Sequence, residues 1–278
     1  MILLLDVGNT RLKFACWNRE NTESAVLSEQ EAIVHFGHFP PVFDDIQDYV
    51  QNKAQGDIQQ NALNSEATSH RRLTRILVSC VAGKLAEQSI KESCQRCFGL
   101  DPEFARTQKK HRGLKIVYER AERLGVDRWL AILAAKSSLS LKKAPVCVVD
   151  SGSALTIDVV SAKGDHQGGF IIPGLRLMYD SLLKGTQEIY ADKPAFHELD
   201  WGKDTNEAVS RGALFAIVAT VNESYRRFKE QENDAHLVLT GGDANLLIPY
   251  LDDANTCKNI PELVLFGLLE YFEVLETS

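Results

Sequence analysis

The chain has 278 residues, a length typical of two domains or of one large domain. Hydrophobic residues make up 44% of it and charged residues 25%, which excludes a disordered, collagenous or disulfide-scaffold protein. With 31 basic against 38 acidic residues the formal net charge is −7, so nucleic acid is not an expected partner. A small anionic ligand is not excluded, because it needs only a local positive site.

The sequence predicts neither a leader peptide nor a membrane span, and we expect a cytoplasmic protein without membrane contact. The start, MILLLDVGNT, lacks a basic region before its short apolar run. No apolar run approaches the roughly 20 residues that cross a bilayer. Among six cysteines, Cys94 and Cys97 form a C-x-x-C without the second pair of a zinc site. We interpret the cysteines as unpaired thiols, with a redox or metal role as the alternative.

Strand-length apolar runs alternate with segments of helical spacing, which is typical of an α/β fold. In the first half we predict strands over residues 2–7, 12–17 and 75–82, a solvated helix and loop over 51–70, and a helix over 84–98. In the second half we predict a basic loop over 109–115, helices over 125–140, 206–230 and 261–275, and strands over 145–149, 155–161, 168–174 and 236–240. Trp129 is interpreted as a core residue and His166 as a turn residue.

One short pattern occurs twice, each time in a turn between two predicted strands. The first copy is D-x-G-N at residues 6–9, and the second is D-x-G-S at residues 150–153, about half the chain later. Two similar half-domains are the economical explanation. We therefore predict domains over residues 1–118 and 119–278.

The first turn has the residue types of a phosphate site. Gly8 lets backbone N–H groups approach a phosphate, and the side chains of Asn9 and Thr10 can donate hydrogen bonds to it. Lys13 adds a positive charge. Asp6, at the end of a strand, is placed to hold Mg²⁺ through water, because Mg²⁺ takes few carboxylates and keeps its waters. A plain hairpin turn is the alternative.

Two later turns offer similar chemistry. Residues 150–154 (DSGSA) supply small residues, hydroxyls and a carboxylate from the second half. Residues 240–244 (TGGDA) follow a strand and open a helix, whose N-terminus favours anions. Each is also compatible with an ordinary turn, but together they suit a nucleotide held between two domains.

The order of these three motifs resembles the phosphate-1, phosphate-2 and adenosine motifs of the acetate-kinase, sugar-kinase, Hsp70 and actin superfamily. More specifically, the chain resembles the type III pantothenate kinases. The segments that carry this resemblance are DVGNTRLK (6–13), Tyr118 with GVDRW (125–129), VVDSGSALTID (148–158), GGFIIPGLRLM (168–178) and TGGDA (240–244).

The resemblance implies an α/β fold with two ribonuclease-H-like domains and an active site in the cleft between them. It also implies ATP-dependent phosphorylation of pantothenate to 4'-phosphopantothenate, the first step of coenzyme A biosynthesis. The expected cofactors are ATP, Mg²⁺ and a monovalent cation, K⁺ or NH₄⁺. The expected assembly is a homodimer.

The resemblance also implies residue roles. Asp127 would be the general base on the primary hydroxyl, with a helix N-cap as the alternative. Arg128 would bind the substrate carboxylate, and Asp150 would be the monovalent-cation ligand. The ATP residues would be Asp6, Val7, Gly8, Asn9, Thr10, Arg11, Leu12, Lys13 and Ser153, the last in place of the usual threonine. The pantothenate residues would be Tyr118, Gly125, Val126, Asp127, Arg128 and Thr186, although Thr186 matches the family's R-T-A only at the threonine.

Two alternative functions stay open at this point. One is a kinase of the same superfamily with another small substrate, against which GVDRW and Tyr118 argue. The other is a non-catalytic accessory or regulatory protein, which would not need Asp6, Asp127 and Asp150.

Overall fold

The computed structural model describes residues 1–18, 26–28, 30–35, 37–60, 72–137, 141–185, 194 and 196–274. The chain forms two compact units, each assembled from separate stretches. The first unit contains Met1–Thr107, Gly125–Leu130 and Val264–Ser278, and the second contains Gln108–Leu124 and Ala131–Leu263. This division differs from the predicted boundary after residue 118. One reason is that Lys115 N–H donates to the carbonyl of Gly164 (2.9 Å), so this part of the chain joins the second unit.

The first unit is built on a six-stranded sheet in the order β3-β2-β1-β5-β6, with β4 also paired to β2. Strands β1 and β2 form an antiparallel hairpin, and β5 and β6 continue the sheet in parallel. The strands are β1 (Ile2–Val7), β2 (Arg11–Asn18), β3 (Val26–Leu27), β4 (Glu31–Val34), β5 (Arg75–Cys80) and β6 (Glu103–Phe104), and the helices are α1 (Phe39–Gln60) and α2 (Lys84–Phe98).

The core of the first unit explains where Asp6 lies. Every residue of β1 is buried, as expected for a central strand covered on both faces. Leu3, Leu5 and Val7 pack in one cluster with residues of α1 and α2. Since successive side chains of a strand point to opposite faces, Asp6 belongs to the other face, at the carboxyl end of β1.

The second unit is built on a five-stranded sheet in the order β11-β10-β9-β12-β13, with a separate two-stranded hairpin β7-β8. Its strands are β7 (Lys110–His111), β8 (Leu114–Lys115), β9 (Val146–Ser151), β10 (Ala154–Val160), β11 (His166–Pro173), β12 (His236–Thr240) and β13 (Lys258–Asn259). The remaining helices of the chain are α3 (Val126–Ser137), α4 (Leu175–Gly185), α5 (Thr205–Gln231), α6 (Ala244–Leu247) and α7 (Leu263–Tyr271). The first residues of α3 and nearly all of α7 belong to the first unit.

The two sheets repeat one topology. In each sheet the first strand (β1 or β9) forms a hairpin with the second (β2 or β10), and a third strand (β3 or β11) pairs with the outer side of that hairpin. Two later parallel strands (β5 and β6, or β12 and β13) continue the sheet on the other side of the first strand. This order is the ribonuclease-H-like arrangement. The repeat extends to single residues: Asp6 pairs with Lys13 on one side and Ser79 on the other, and Asp150 pairs with Thr156 and Thr240. The prediction of an α/β protein with two ribonuclease-H-like domains is confirmed.

Most predicted elements are present with small shifts at their ends. Strand β1 and helix α2 have the predicted bounds, and α5 differs by one residue at each end. Helix α1 begins well before the predicted 51–70 segment, because prolines are tolerated in the first turn of a helix. Residues 61–71 and 138–140 lie outside the described residues. Helix α4 and strands β3 and β4 were not predicted.

Two interpretations of the second half are wrong. The basic segment 109–115 contains the hairpin β7-β8, whose turn at Arg112 and Gly113 has positive φ at both residues. His166 is not a turn residue, because it begins β11 and is buried, with its Nε2 2.9 Å from Asp158 Oδ1.

The interpretation of Trp129 as a core residue is confirmed. Trp129 is fully buried and packs edge-on against Tyr271 at 5.3 Å between ring centroids. The six cysteines are free thiols, and burial raises the pKa of Cys94 to about 12, which keeps it protonated. Within the part of the chain that the structure describes, no helix has the length and apolarity needed to cross a bilayer.

One ion pair of the first unit gives a pH-dependent prediction. Arg75 donates two hydrogen bonds to Glu103 (2.7 and 2.9 Å), and this lowers the pKa of Glu103 below its usual 4.5. The pair therefore stabilises the fold above pH 4.5, and its contribution is lost as the pH falls through the lowered pKa. Because the two side chains are 35% and 42% exposed, the contribution is small. Glu103→Gln should lower the free energy of unfolding by at most about 1 kcal/mol at neutral pH.

Urea unfolding of both proteins at neutral pH and at about pH 3 measures this difference, which should be smaller at the acid pH. The exposed Glu119→Gln serves as the control and should match the unsubstituted protein at both pH values. A difference of equal size at both pH values would mean that Glu103 stabilises the fold through packing and not through its charge.

Candidate active site

The turn between β1 and β2 is tightly closed. Gly8 N–H donates to the carbonyl of Arg11 (3.0 Å), and a Cβ on Gly8 would lie 3.3 Å from that same oxygen. Asn9 and Arg11 are exposed, whereas Val7 and Leu12 are fully buried in the core. Of the predicted ATP residues, Val7 and Leu12 therefore support the turn from the core, and their neighbours in the turn are the ones available to a ligand.

A carboxylate and an ammonium group share one face of the sheet next to this turn. Asp6, 9% exposed, stands directly opposite Lys13 in the antiparallel register, where side chains project from the same face about 5 Å apart. Ser79 is the neighbour of Asp6 on β5, and its buried hydroxyl has no hydrogen-bond partner among the described residues. Asp6 and Ser79 can therefore offer oxygen donors to a divalent cation, and Lys13 can offer a positive charge to a phosphate.

His35 reaches the same turn and was not predicted. Its ring Nε2 lies 2.9 Å from the carbonyl oxygen of Gly8, and its backbone N–H donates to the carbonyl of Thr10 (3.1 Å). The side chain is only 3% exposed. No motif in the sequence marks this histidine, because its partners are backbone atoms about 25 residues away in the chain.

The segment 125–128 forms the start of helix α3. Trp129 N–H donates to the carbonyl of Gly125 (3.0 Å), which makes Gly125 the N-cap. Asp127 is thus in the first turn, and the alternative that Asp127 is itself the N-cap is wrong. Its Oδ1 accepts the N–H of Arg128 (2.7 Å), and the positive end of the helix favours its negative charge.

The position of the Asp127 carboxylate leaves no room for a side chain at Gly125. A Cβ at residue 125 would lie 2.5 Å from Asp127 Oδ1, closer than any real carbon contact allows. Asp127 is half-buried, and Arg128 beside it is 6% exposed. The glycine, the carboxylate and the buried guanidinium therefore form one local arrangement in which a side chain at residue 125 would displace the carboxylate.

The remaining predicted pantothenate residues lie elsewhere. Tyr118, in the second unit, is half-buried, and its ring is 5.8 Å from the ring of His166. Its carbonyl accepts a hydrogen bond from Lys109 Nζ (2.5 Å). Thr186 lies outside the described residues.

Three segments of the second unit meet at the turn between β9 and β10. Gly174 N–H donates to the carbonyl of Ser153 (3.1 Å), and Asp243 N–H donates to that of Ser151 (2.9 Å). The contacts are possible only without side chains, since a Cβ on Gly174 would lie 2.1 Å from the carbonyl of Gly152. Three segments that are separate in the sequence therefore meet at one place: the DSGSA turn, the Gly-Pro corner and the TGGDA segment. The side chain of Ser153 is exposed there.

Asp150 faces a space that a glycine leaves open. Gly241 has φ of +96°, and a Cβ there would lie 2.4 Å from Asp150 Oδ1. The carboxylate and the neighbouring backbone carbonyls are oxygen donors of the kind that hard cations prefer. The described residues contain no cluster of three or more His, Cys, Asp or Glu side chains that could hold a metal ion.

Comparison with known proteins identifies the family of the chain. The model of the family described as type III pantothenate kinase matches residues 2–227, which include both turns and the start of α3. The chain belongs to the type III pantothenate kinase family. Relatives named type III pantothenate kinase include one from Acinetobacter baumannii (31% identity, 97% of this chain and 96% of the relative) and one from Cellvibrio japonicus (32%, 99% and 98%). Another, from Nitrosococcus oceani, is 29% identical over 96% of this chain and 92% of its own length.

A solved structure supports the fold of this type III pantothenate kinase family member. A Campylobacter jejuni protein assigned to the Baf family of transcriptional activators matches with a TM-score of 0.55 over 98% of this chain and all of its own, at 19% identity. At that identity the likeness concerns the fold alone. Family membership confirms the predicted kinase, and it implies ATP and a divalent metal as cofactors.

Proposed function

We propose that the chain transfers the γ-phosphoryl group of ATP to the primary hydroxyl of pantothenate, giving 4'-phosphopantothenate in the first step of coenzyme A biosynthesis. The observation that carries this proposal is the Asp127 carboxylate, held at the start of α3 by the N–H of Arg128 and dependent on the missing side chain of Gly125. This arrangement lies inside the GVDRW segment that the family match covers.

Asp127 is proposed as the general base. Phosphoryl transfer asks a protein mainly for positioning and charge neutralisation, but the attacking hydroxyl must still lose its proton. A carboxylate within hydrogen-bond reach can accept that proton. The bond from the Arg128 N–H keeps the side chain of Asp127 in one orientation, so the carboxylate does not have to be ordered when the substrate binds.

The residues around Asp127 are proposed to bind pantothenate. Arg128 suits its carboxylate, because a guanidinium binds that group in a bidentate manner and loses little entropy when already buried. Gly125 and Val126 complete the start of the helix. Tyr118 and Thr186 are further proposed contacts.

The two phosphate turns are proposed to bind ATP. In the first unit the exposed part of residues 6–13 contributes backbone N–H groups, side-chain donors and the charge of Lys13. In the second unit the exposed hydroxyl of Ser153 keeps the hydrogen-bonding group of the usual threonine. Asp6 would hold Mg²⁺ through water, and the ion would neutralise phosphate charge. Because the reaction consumes ATP, we propose the cytoplasm as its compartment.

Replacing the proposed base separates chemistry from binding. Asp127→Asn keeps the size of the side chain and an oxygen that can accept the Arg128 N–H, but it removes the basic carboxylate. We expect kcat to fall by about 10²–10⁴-fold, with ATP affinity and melting temperature near those of the unsubstituted protein. The measurement is pantothenate-dependent ADP release with Mg²⁺ and K⁺ present. Unchanged turnover would remove Asp127 from the role, and no pantothenate-dependent release by the unsubstituted protein would contradict the proposed substrate.

Asp150 is proposed to bind K⁺ or NH₄⁺, and Gly241 offers a test. Gly241→Ala places a methyl group 2.3 Å from the carbonyl oxygen of Ser151 and 2.4 Å from Asp150 Oδ1, so activity in K⁺ buffer should fall by about tenfold or more toward the low rate expected in Na⁺ buffer. The matched control is Gly99→Ala, which also has a positive φ (+66°) but has no atom within 4 Å of the new Cβ. It should lose about 1 kcal/mol of stability and keep its K⁺ response. Equal rates of the unsubstituted protein in K⁺ and Na⁺ would contradict the cation proposal.

We also propose a homodimer through the edge strand β11. Phe170 and Ile171 are 54% and 62% exposed on this strand, beside a groove of about 470 Å³. Glu223, on the rim of the groove, pairs with Arg226 and Arg227 of its own chain, so the apolar side chains of β11 would carry the contact between two copies. Ile171→Lys should shift the mass measured by light scattering from dimer to monomer, whereas the exposed Leu85→Lys on α2 should not. A monomeric unsubstituted protein would contradict the assembly.

A further inference from the structure

His35 joins the first phosphate turn to the chain segment that follows β4. Its ring Nε2 lies 2.9 Å from the carbonyl oxygen of Gly8, and its Nδ1 lies 2.9 Å from the backbone nitrogen of Gly37. The ring also stacks on Phe39 at 4.6 Å between centroids. With only 3% of the residue exposed, water has little access to replace either hydrogen bond.

These partners assign the proton on the ring. The backbone N–H of Gly37 can only donate, so Nδ1 must accept and carries no hydrogen. The carbonyl of Gly8 can only accept, so Nε2 must carry the hydrogen and donate it. His35 is therefore bound as one neutral tautomer, with each nitrogen matched to one backbone group.

The bond to Gly8 determines the orientation of the next peptide N–H. In a trans peptide the C=O of one residue and the N–H of the following residue point in opposite directions. Because the carbonyl of Gly8 points toward His35, the N–H of Asn9 points away from it. The backbone N–H of His35 holds the carbonyl of Thr10 in the same way (3.1 Å), so the turn is fixed at both ends.

We propose that His35 is a positioning residue that holds residues 8–10 in the conformation that binds the phosphates of ATP. The proposal rests on the ATP site proposed above. His35 does not contact the nucleotide; it acts through the peptide between Gly8 and Asn9. Without the Nε2 donor, the carbonyl of the half-buried Gly8 loses its ring partner, and rotation of that peptide would point the carbonyl oxygen at the phosphates instead of the N–H.

A packing role alone does not require this arrangement. The stack on Phe39 uses only the flat face of the ring, and another planar or apolar side chain could fill the same volume. The two nitrogen contacts instead use the polar edge of the ring. Two substitutions separate these contacts, because the amide of Asn reaches as far as Nδ1 of His and the amide of Gln reaches as far as Nε2.

The experiment compares His35→Gln with His35→Asn in the full chain. Gln keeps a donor toward the carbonyl of Gly8, and Asn keeps only an acceptor toward the N–H of Gly37. We expect His35→Asn to raise KM for ATP by roughly tenfold or more, with an equal rise in the Kd for ATP measured by calorimetry. A rise of this size is expected because the carbonyl of Gly8 would lose its hydrogen-bond donor. We expect His35→Gln to stay within about threefold of the unsubstituted protein, and KM for pantothenate to be unchanged in both.

The control is His38→Asn, at an exposed histidine three residues further along the chain, which should change neither constant. Melting temperatures measured in parallel detect a general loss of fold. If Asn and Gln lower the melting temperature equally and leave KM for ATP unchanged, His35 is a packing residue and the proposal is overturned. Equal weakening of ATP binding by both variants would also overturn it, because the Nε2 donor would then not be the group that matters. If the unsubstituted protein does not bind ATP at all, the proposed ATP site fails first, and that result is distinct from either pattern.

Discussion

The sites of this protein depend on backbone approaching carboxylates so closely that no side chain fits between them. At Asp127 the neighbour is Gly125, and at Asp150 it is Gly241; in both cases a Cβ would come within 2.5 Å of a carboxylate oxygen. A side chain at either position would have to displace the carboxylate, so each glycine preserves the position that its carboxylate has in the structure.

The repeated sheet explains why these carboxylates occur where they do. In each unit the next-to-last residue of the central strand is an aspartate, and the hairpin partner returns after a turn of a few residues. On its other side each central strand pairs with a buried parallel strand, β5 or β12. A polar side chain can therefore leave the core only near the carboxyl end of the central strand. The two turns therefore occupy equivalent positions, and they differ in the residue opposite the aspartate, which is Lys13 in the first unit and Thr156 in the second.

Local patterns in the sequence were sufficient for much of the fold and for part of the site. Apolar runs of strand length gave β1 and β12, and helical spacing gave α2 and α5, because these elements are buried along a regular face. The glycines of the phosphate turns were recognisable by composition. His35 was not, since its contacts are with backbone atoms that the pairing of β2 with β4 brings close to it. His166 was misread for a related reason: a histidine beside glycines suggests a turn, and only the pairing of β10 with β11 places it against Asp158.

The composition of the first unit has a consequence for how the chain is made. This unit takes residues from three separate stretches, and the last of them lies within the final fifteen residues. Trp129 packs against Tyr271, so the aromatic contact inside the first unit joins residues that leave the ribosome at very different times. The first unit therefore cannot be completed during synthesis of the N-terminal half, and its final packing waits for synthesis of α7. The two sheets repeat one topology, yet each unit combines separate stretches of the chain. Neither unit can therefore be translated, excised or exchanged as one continuous piece.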